Sequence, residues 1–318
     1  MCWALTVLFL LGGIALLYYG AEWLLKGSVS IAAKLGVPSL LIGLTLVSFA
    51  TSAPELVVST CAAFSGNGDI ATGNVAGSNI CNIGLILGLS AMLAPMKVQR
   101  QLLRFDVPVL ITGSLLFAGV GLSCGGFGRI SGSIFLMLML LYLLWSIRYS
   151  RQSKQEETPG MTECLKKPLS IPTAIALTLC GIAALTGGAH LLVRGSIAIG
   201  QALQIRDAVI GLTIIAIGTS LPELATSVVA AMRKEADIAI GNVIGSNIFN
   251  IFTIMGIAPL IQPIQTVSIN WVDWSVMLLF AILLYPVMRT RMEMSRKEGI
   301  LLFTLFTGYM IWIVCTAK

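Results

Sequence analysis

Two stretches of the chain combine a carboxylate with hydroxyls, amides and a proline at spacings that suit a cation. The first reads Gly-Leu-Thr-Leu-Val-Ser-Phe-Ala-Thr-Ser-Ala-Pro-Glu from Gly43 to Glu55, and the second reads Gly-Leu-Thr-Ile-Ile-Ala-Ile-Gly-Thr-Ser-Leu-Pro-Glu from Gly211 to Glu223. On helical spacing Glu55 shares a face with Thr51, Ser52 and Ser48, and Glu223 does so with Thr219, Ser220 and the carbonyl of Ala216. A second motif follows each, Gly-Asn-x-x-Gly-Ser-Asn, in which Ser78 and Asn82 stand at i, i+4, as do Ser246 and Asn250. Each such pair can aim neutral oxygens at one point. Carboxylates, hydroxyls, amides and freed carbonyls, without Cys or His, form an all-oxygen set that suits hard cations such as Ca2+, which takes about six to eight oxygens. Na+ is hard in the same sense, and softer metals are disfavoured.

Both motifs carry simpler readings that the residues alone leave open. Ser-x-x-Glu is the pattern of a capping box, here restarting a helix after a break. Gly-x-x-x-Gly is a common device for close packing between membrane helices. A cap accounts for the break but not for a carboxylate in hydrocarbon, which costs about 3 kcal/mol at a helix centre. Pro54 and Pro222 cannot donate to the preceding turn, so they are expected to release the carbonyls of Ala50 and Gly218.

The elements that must position these residues are membrane spans. The chain is 57% hydrophobic and 11% charged, against about 25% charged in soluble domains, so the bilayer is its solvent. A spanning helix needs roughly 20 mostly apolar residues. Ten segments qualify, approximately 3–24, 37–65, 69–94, 105–123, 127–148, 170–193, 206–232, 237–262, 270–288 and 298–316. The first has no basic n-region and reads as a retained span, not a signal peptide. Alternating the loops puts 16 of the 20 basic residues on one side and leaves Arg129, Arg194, Arg206 and Lys318 on the other. Basic residues accumulate in cytoplasmic loops, so both termini are expected outside and the 149–169 loop in the cytoplasm of a multi-pass cell membrane protein. The net charge of +6 is spread over loop after loop, which argues against a nucleic-acid partner.

A duplication with an offset of 168 residues dominates the chain: Gly43 to Gly88 matches Gly211 to Gly256 at 25 of 46 positions without a gap. Each half holds five spans, and an odd number inverts the second copy in the membrane. The expected fold is therefore an all-α membrane protein of ten helices in two inverted five-helix repeats, 1–148 and 170–318, joined by the charged linker 149–169. In such architectures the substrate site lies near mid-membrane, at the repeat interface, on broken helices.

The paired motifs resemble the alpha repeats of the sodium/calcium exchanger family, within the calcium/cation antiporter group, over essentially the whole chain. That resemblance implies that Glu55, Glu223, Thr51, Thr219, Ser52, Ser220, Ser78, Ser246, Asn82, Asn250 and the backbone at Ser48 and Ala216 line central ion sites. It also implies three Na+ exchanged per Ca2+. Some relatives carry an acid at the position of Asn250; the neutral Asn82 and Asn250 argue against potassium dependence. The short linker resembles the short prokaryotic members. Ca2+ and Na+ are the expected transported ions, the bilayer the expected partner, no cofactor or nucleic acid is expected, and the oligomeric state is left open, a monomer being compatible with the sequence. A Ca2+/H+ exchanger on the same glutamates and a passive cation channel are the competing readings. An enzyme is not expected, because the sequence has one His and no His-Glu-x-x-His or paired aspartate motif. Asp106, Asp273, Asp69 and Asp237 read as helix N-terminal acids, Glu22 and His190 as interfacial residues, and the seven Cys as buried apolar thiols.

Overall fold

The computed structural model describes residues 3–153, 169–202, 216–266 and 269–316. The chain folds into helices with four two-residue strands: α1 Trp3–Leu35, α2 Ser39–Thr51, α3 Ala53–Phe64, α4 Gly68–Leu93, α5 Leu102–Cys124, α6 Arg129–Ser153, α7 Ile171–Ala202, α8 Ala216–Thr219, α9 Leu221–Met232, α10 Ala236–Ile261, α11 Trp271–Arg289 and α12 Arg296–Thr316. Eight helices among the described residues are long and apolar enough to cross a membrane, or nine spans if the bent pair α2 and α3 counts as one. The expected first span of 3–24 is longer, running to Leu35. Residues 206–215 of the expected seventh span and 154–168 of the linker lie outside the described residues.

Burial separates the helices into two groups. In α4 and α10, 78% of the apolar window is buried, against 17–39% in the other spanning helices. α4 and α10 thus form the protein-facing centre, and the remainder present leucine, isoleucine and phenylalanine outward, as lipid contact requires. The centre is held by backbone-close crossings. Gly43 approaches Ile238, and Gly241 and Gly245 approach Leu40 and Leu44, so closely that an added Cβ would lie 2.5–3.0 Å from backbone atoms. For the second copy, therefore, the Gly-x-x-x-Gly spacing serves packing.

Contacts recur at the offset of the duplication. Gly13 meets Gly188 and Leu192, while Gly20 meets Gly181 and Leu185, fastening α1 to α7. The strands β1 Met96–Lys97, β2 Gly126–Phe127, β3 Ile264–Gln265 and β4 Glu293–Met294 pair antiparallel, β1 with β4 and β2 with β3. Met96 faces Met294 and Phe127 faces Ile264. Residue i of one half thus meets residue j of the other, and the counterparts of j and i meet in turn, at an offset of 168 for the glycines and of 167 to 168 for the strands.

One pair breaks that equivalence. Asp273 forms a reciprocal capping box with Asn270 and accepts a hydrogen bond from Tyr309 at 2.6 Å. Asp106, expected to cap in the same way, makes no side-chain cap: it is fully buried in a π-helical turn, Leu102–Asp106, and accepts from Tyr142 at 3.0 Å. The helix continues through Asp106 and leaves no free N-terminal amides for it to cap. The thiol expectation is also corrected. Cys81 is buried, but Cys61, Cys124, Cys180 and Cys315 are exposed, because an apolar segment that packs on one side leaves its other side uncovered; Cys2 and Cys164 lie outside the described residues.

Candidate cation site

α2 ends at Thr51 and α3 begins at Ala53, with their axes 48° apart and Ser52 between them at φ −83°, ψ 6°. Ser220 divides α8 from α9 with nearly the same geometry, φ −87°, ψ 9°. Pro54 and Pro222 are each the second residue of the restarted helix, where a missing N–H is tolerated. The interruption therefore falls at the serine, two residues before the proline. Glu55 and Glu223 sit in the first turns of α3 and α9, and both are fully buried.

The serines do not cap their own helices. Neither Ser52 nor Ser220 makes a side-chain cap hydrogen bond. Instead the Ser52 hydroxyl donates to Glu223 Oε1 at 2.8 Å, and the Ser220 hydroxyl donates to Glu55 Oε1 at 3.1 Å. The capping-box reading fails because each hydroxyl turns away from its own amides toward the carboxylate of the other motif. Thr51 and Thr219 add hydroxyls against the same carboxylates, Thr51 beside Glu223 and Thr219 beside Glu55. The crossed bonds bring the two acids, 168 residues apart, to one place.

The second motif closes around them. Ser220 Oγ lies 3.5 Å from Ser78 Oγ. α4 turns π-helical from Asn82 to Leu87, and α10 from Asn250 to Ile254; such single-turn bulges are frequent at functional sites. The turn starting at Asn82 packs against α9 and α10, and the one starting at Asn250 packs against α3 and α4. Ser78, Ser246, Asn82 and Asn250 are all buried.

Five oxygens at this centre are buried without a hydrogen-bond partner among the described residues, Glu55 Oε2, Glu223 Oε2, Asn82 Oδ1, Asn250 Oδ1 and Ser246 Oγ; the Nδ2 atoms of Asn79 and Asn247 are unpartnered beside them. Leaving a buried acceptor unsatisfied costs about 1–3 kcal/mol, and more when it is charged. A desolvated hard cation satisfies such a set as hydrogen-bond donors would.

Ser48 is placed less favourably than expected. Its carbonyl already accepts from the Ser52 N–H at 2.9 Å and the Thr51 hydroxyl at 3.3 Å. The bend leaves the helical bond to Ser48 intact, so its carbonyl is not freed. Ala216 opens α8, and its side-chain surroundings lie outside the described residues.

Four amides of the second motif contribute contacts that the expected ligand set did not include. Asn74 donates to Ser59 at 2.9 Å and to the Glu55 carbonyl at 3.3 Å; Asn242 donates to Ser227 at 2.9 Å and to the Glu223 carbonyl at 3.5 Å, while its Oδ1 accepts from Thr51 at 3.1 Å. Asn82 donates to Asn247, and Asn250 to Asn79. Their signal was present in Gly-Asn-x-x-Gly-Ser-Asn, where Asn74, Asn79, Asn242 and Asn247 are the amides the i, i+4 rule leaves over.

Comparison with known proteins identifies the family. The profile of the family described as sodium/calcium exchanger protein matches residues 5–148 and 173–315. Sodium/calcium exchanger MaX1 of Methanosarcina acetivorans is 31% identical over 342 aligned positions, covering 96% of this chain and 97% of that protein. Inner membrane protein YrbG of Escherichia coli is 36% identical, covering 97% and 96%. Solved structures of the sodium-calcium exchanger NCX_Mj, soaked with Na+ and Sr2+ or with Na+ and Ca2+, superpose with a TM-score of 0.83 at 34% identity over 99% of both chains. By its sequence, its fold and its paired acidic motifs, this chain belongs to the sodium/calcium exchanger family of membrane antiporters.

Proposed function

We propose that the chain exchanges Na+ for Ca2+ by alternating access, with Glu55, Glu223, Thr51, Thr219, Ser52, Ser220, Ser78, Ser246, Asn82, Asn250 and the backbone at Ala216 forming the shared ion sites; the Ser48 carbonyl, which already accepts two hydrogen bonds, is left out of the set. The single observation that carries this reading is the crossed pair of hydrogen bonds, Ser52 to Glu223 and Ser220 to Glu55, which converges two buried carboxylates. The ion identities follow the family and the relatives named for Na+ and Ca2+ exchange.

The architecture proposed is ten helices in two inverted repeats, 1–148 and 170–318, joined by a cytoplasmic linker at 149–169, with both termini outside the cell membrane. The reciprocal contacts at the offset of 168 support it: the Ser52–Glu223 and Asn82–Asn247 bonds have counterparts in Ser220–Glu55 and Asn250–Asn79, and Gly13–Gly188 has its counterpart in Gly20–Gly181.

Charge gives the coupling. Two ionised glutamates carry minus two, which one Ca2+ cancels. An empty ionised site is expensive to occlude in low dielectric, because unpaired buried charges cost several kcal/mol each. Only a loaded site then changes sides, so Ca2+ leaving on one face requires Na+ to occupy the same oxygens for the return. Three Na+ per Ca2+ carries one net charge per cycle, worth about 2.3 kcal/mol per 100 mV, and drives Ca2+ outward at a resting potential that is negative inside. α1 and α7, fastened to each other through Gly13, Gly20, Gly181 and Gly188, move as a pair over the centre formed by α4 and α10.

The test is radiocalcium uptake into proteoliposomes under an outward Na+ gradient, compared with an outward proton gradient and with no counter-ion gradient. Uptake driven by Na+ in the presence of an uncoupler is expected. Uptake driven only by the proton gradient would replace Na+ with H+, and uptake without either gradient would make the protein a passive channel.

A further inference from the structure

Asn79 and Asn247 are absent from the ion ligands proposed above, yet each holds one of them. Asn82 Nδ2 donates to Asn247 Oδ1 at 3.0 Å, and Asn250 Nδ2 donates to Asn79 Oδ1 at 3.2 Å. The two bonds are counterparts at the offset of 168, and all four amides are at most 2% exposed. Together they tie α4 to α10 in both directions.

We infer that Asn79 and Asn247 are positioning residues that decide which end of the Asn82 and Asn250 amides faces the cation. A carboxamide has an acceptor end and a donor end, and rotation by half a turn exchanges them. Beside two carboxylates, an unrestrained amide gains most by turning its N–H groups toward Glu55 or Glu223, and a cation then meets donors. The bonds to Asn79 and Asn247 each hold one N–H of the Asn82 or Asn250 amide on the far side, and Oδ1 of Asn82 and of Asn250 carry no protein partner; Nδ2 of Asn79 and of Asn247 carry none either. Two oxygens are thereby fixed for the ion before it arrives. Fixed dipoles bind more tightly than ones that must reorient, because their ordering is not charged to the binding step.

The arrangement also makes a specific statement about charge. A carboxylate in place of either inner amide shows oxygen whichever way it turns, so it needs no such restraint. Asn79 should matter when residue 250 is an amide and cease to matter when it is an acid. A residue that only braced α4 against α10 would matter equally in both cases.

This inference rests on the cation site proposed above, and equilibrium binding of 45Ca2+ to the purified full chain in detergent tests it without assuming the counter-ion. The dissociation constant is measured for the parent, Asn79→Ala, Asn247→Ala, Asn250→Asp and the double variant Asn79→Ala/Asn250→Asp, with Glu55→Gln as the reference for site loss. Asn79→Ala and Asn247→Ala are expected to weaken binding about tenfold, or about 1.4 kcal/mol. In the Asn250→Asp background, Asn79→Ala should change the constant less than about twofold. An equal weakening in both backgrounds, or none in either, overturns the positioning role. If Asn79→Ala does not fold, Asn247→Ala against Asn82→Asp carries the same comparison from the counterpart pair. Failure of the site itself is separate: Glu55→Gln would then bind Ca2+ as the parent does.

Discussion

Replacing Ser52 or Ser220 by alanine separates an ion-site serine from a helix cap. Each hydroxyl donates to a buried carboxylate of the opposite motif, at 2.8 Å for Ser52 to Glu223 and 3.1 Å for Ser220 to Glu55. Hydrogen bonds to charged groups contribute about 1.5–3 kcal/mol. At about 1.4 kcal/mol per tenfold change, loss of either hydroxyl should raise the half-saturating Ca2+ concentration roughly 10- to 150-fold. The two variants should fall within this range together, because the contacts are counterparts, with Ser52→Ala the costlier if the shorter bond is the stronger. The assay is Na+-gradient-driven 45Ca2+ uptake into proteoliposomes at graded Ca2+, alongside thermal melting in detergent. A cap lost from one helix lowers the melting temperature and leaves ion affinity alone. A lower melting temperature with an unchanged half-saturation value in both variants would refute the crossed assignment.

Other outcomes follow from packing and charge. Gly20→Val would put a Cβ 2.9 Å from the Leu185 nitrogen and 3.0 Å from the Gly181 oxygen, so α1 and α7 must part, at about 1–3 kcal/mol for overpacking. Its melting temperature should fall, whereas Gly12→Val, with nothing within 4 Å, should melt like the parent; equal melting of the two would contradict the α1 to α7 contact. Tyr142→Phe removes a donor from the fully buried Asp106 and should destabilise by about 1–3 kcal/mol. Tyr309→Phe should cost less, because Asp273 keeps its capping box; the reverse order in thermal melting would count against this. Asn250→Asp adds a third acid to the centre, and Ca2+ uptake should become more sensitive to external pH or K+, an effect absent if residue 250 lies away from the ions.

Much of the candidate site was legible in the sequence because a duplication prints each candidate residue twice. The offset of 168 picks out Glu55 with Glu223 and Asn82 with Asn250, and the cost of an acid in hydrocarbon marks the glutamates as more than structural. What periodicity reports is which residues share a face of one helix. It does not report what lies across from that face, so the crossing of Ser52 to Glu223 and the amide links of Asn79 and Asn247 became visible only with the helices in place. Local rules misled where tertiary contacts outweighed them. Ser-x-x-Glu reads as a cap, but the charged acceptor on the neighbouring motif takes the hydroxyl. Asp106 and Asp273 sit near the starts of corresponding spans and each accepts from a tyrosine 36 residues on, yet continuation of the helix through Asp106 leaves it no amides to cap, so only Asp273 forms a capping box. The two prolines marked the interruptions to within two residues, which is the difference between a kinked helix and one that stops and restarts.

The most direct measurement on the central claim is 45Ca2+ uptake driven by an outward Na+ gradient in proteoliposomes of the parent, Glu55→Gln and Glu223→Gln, each reconstituted to equal amounts of folded protein. Neutralising either acid leaves a site of charge minus one that no longer balances Ca2+, and uptake should fall to the level of empty vesicles in both variants. Transport near the parent rate in either one would place the exchanged ions elsewhere in the molecule.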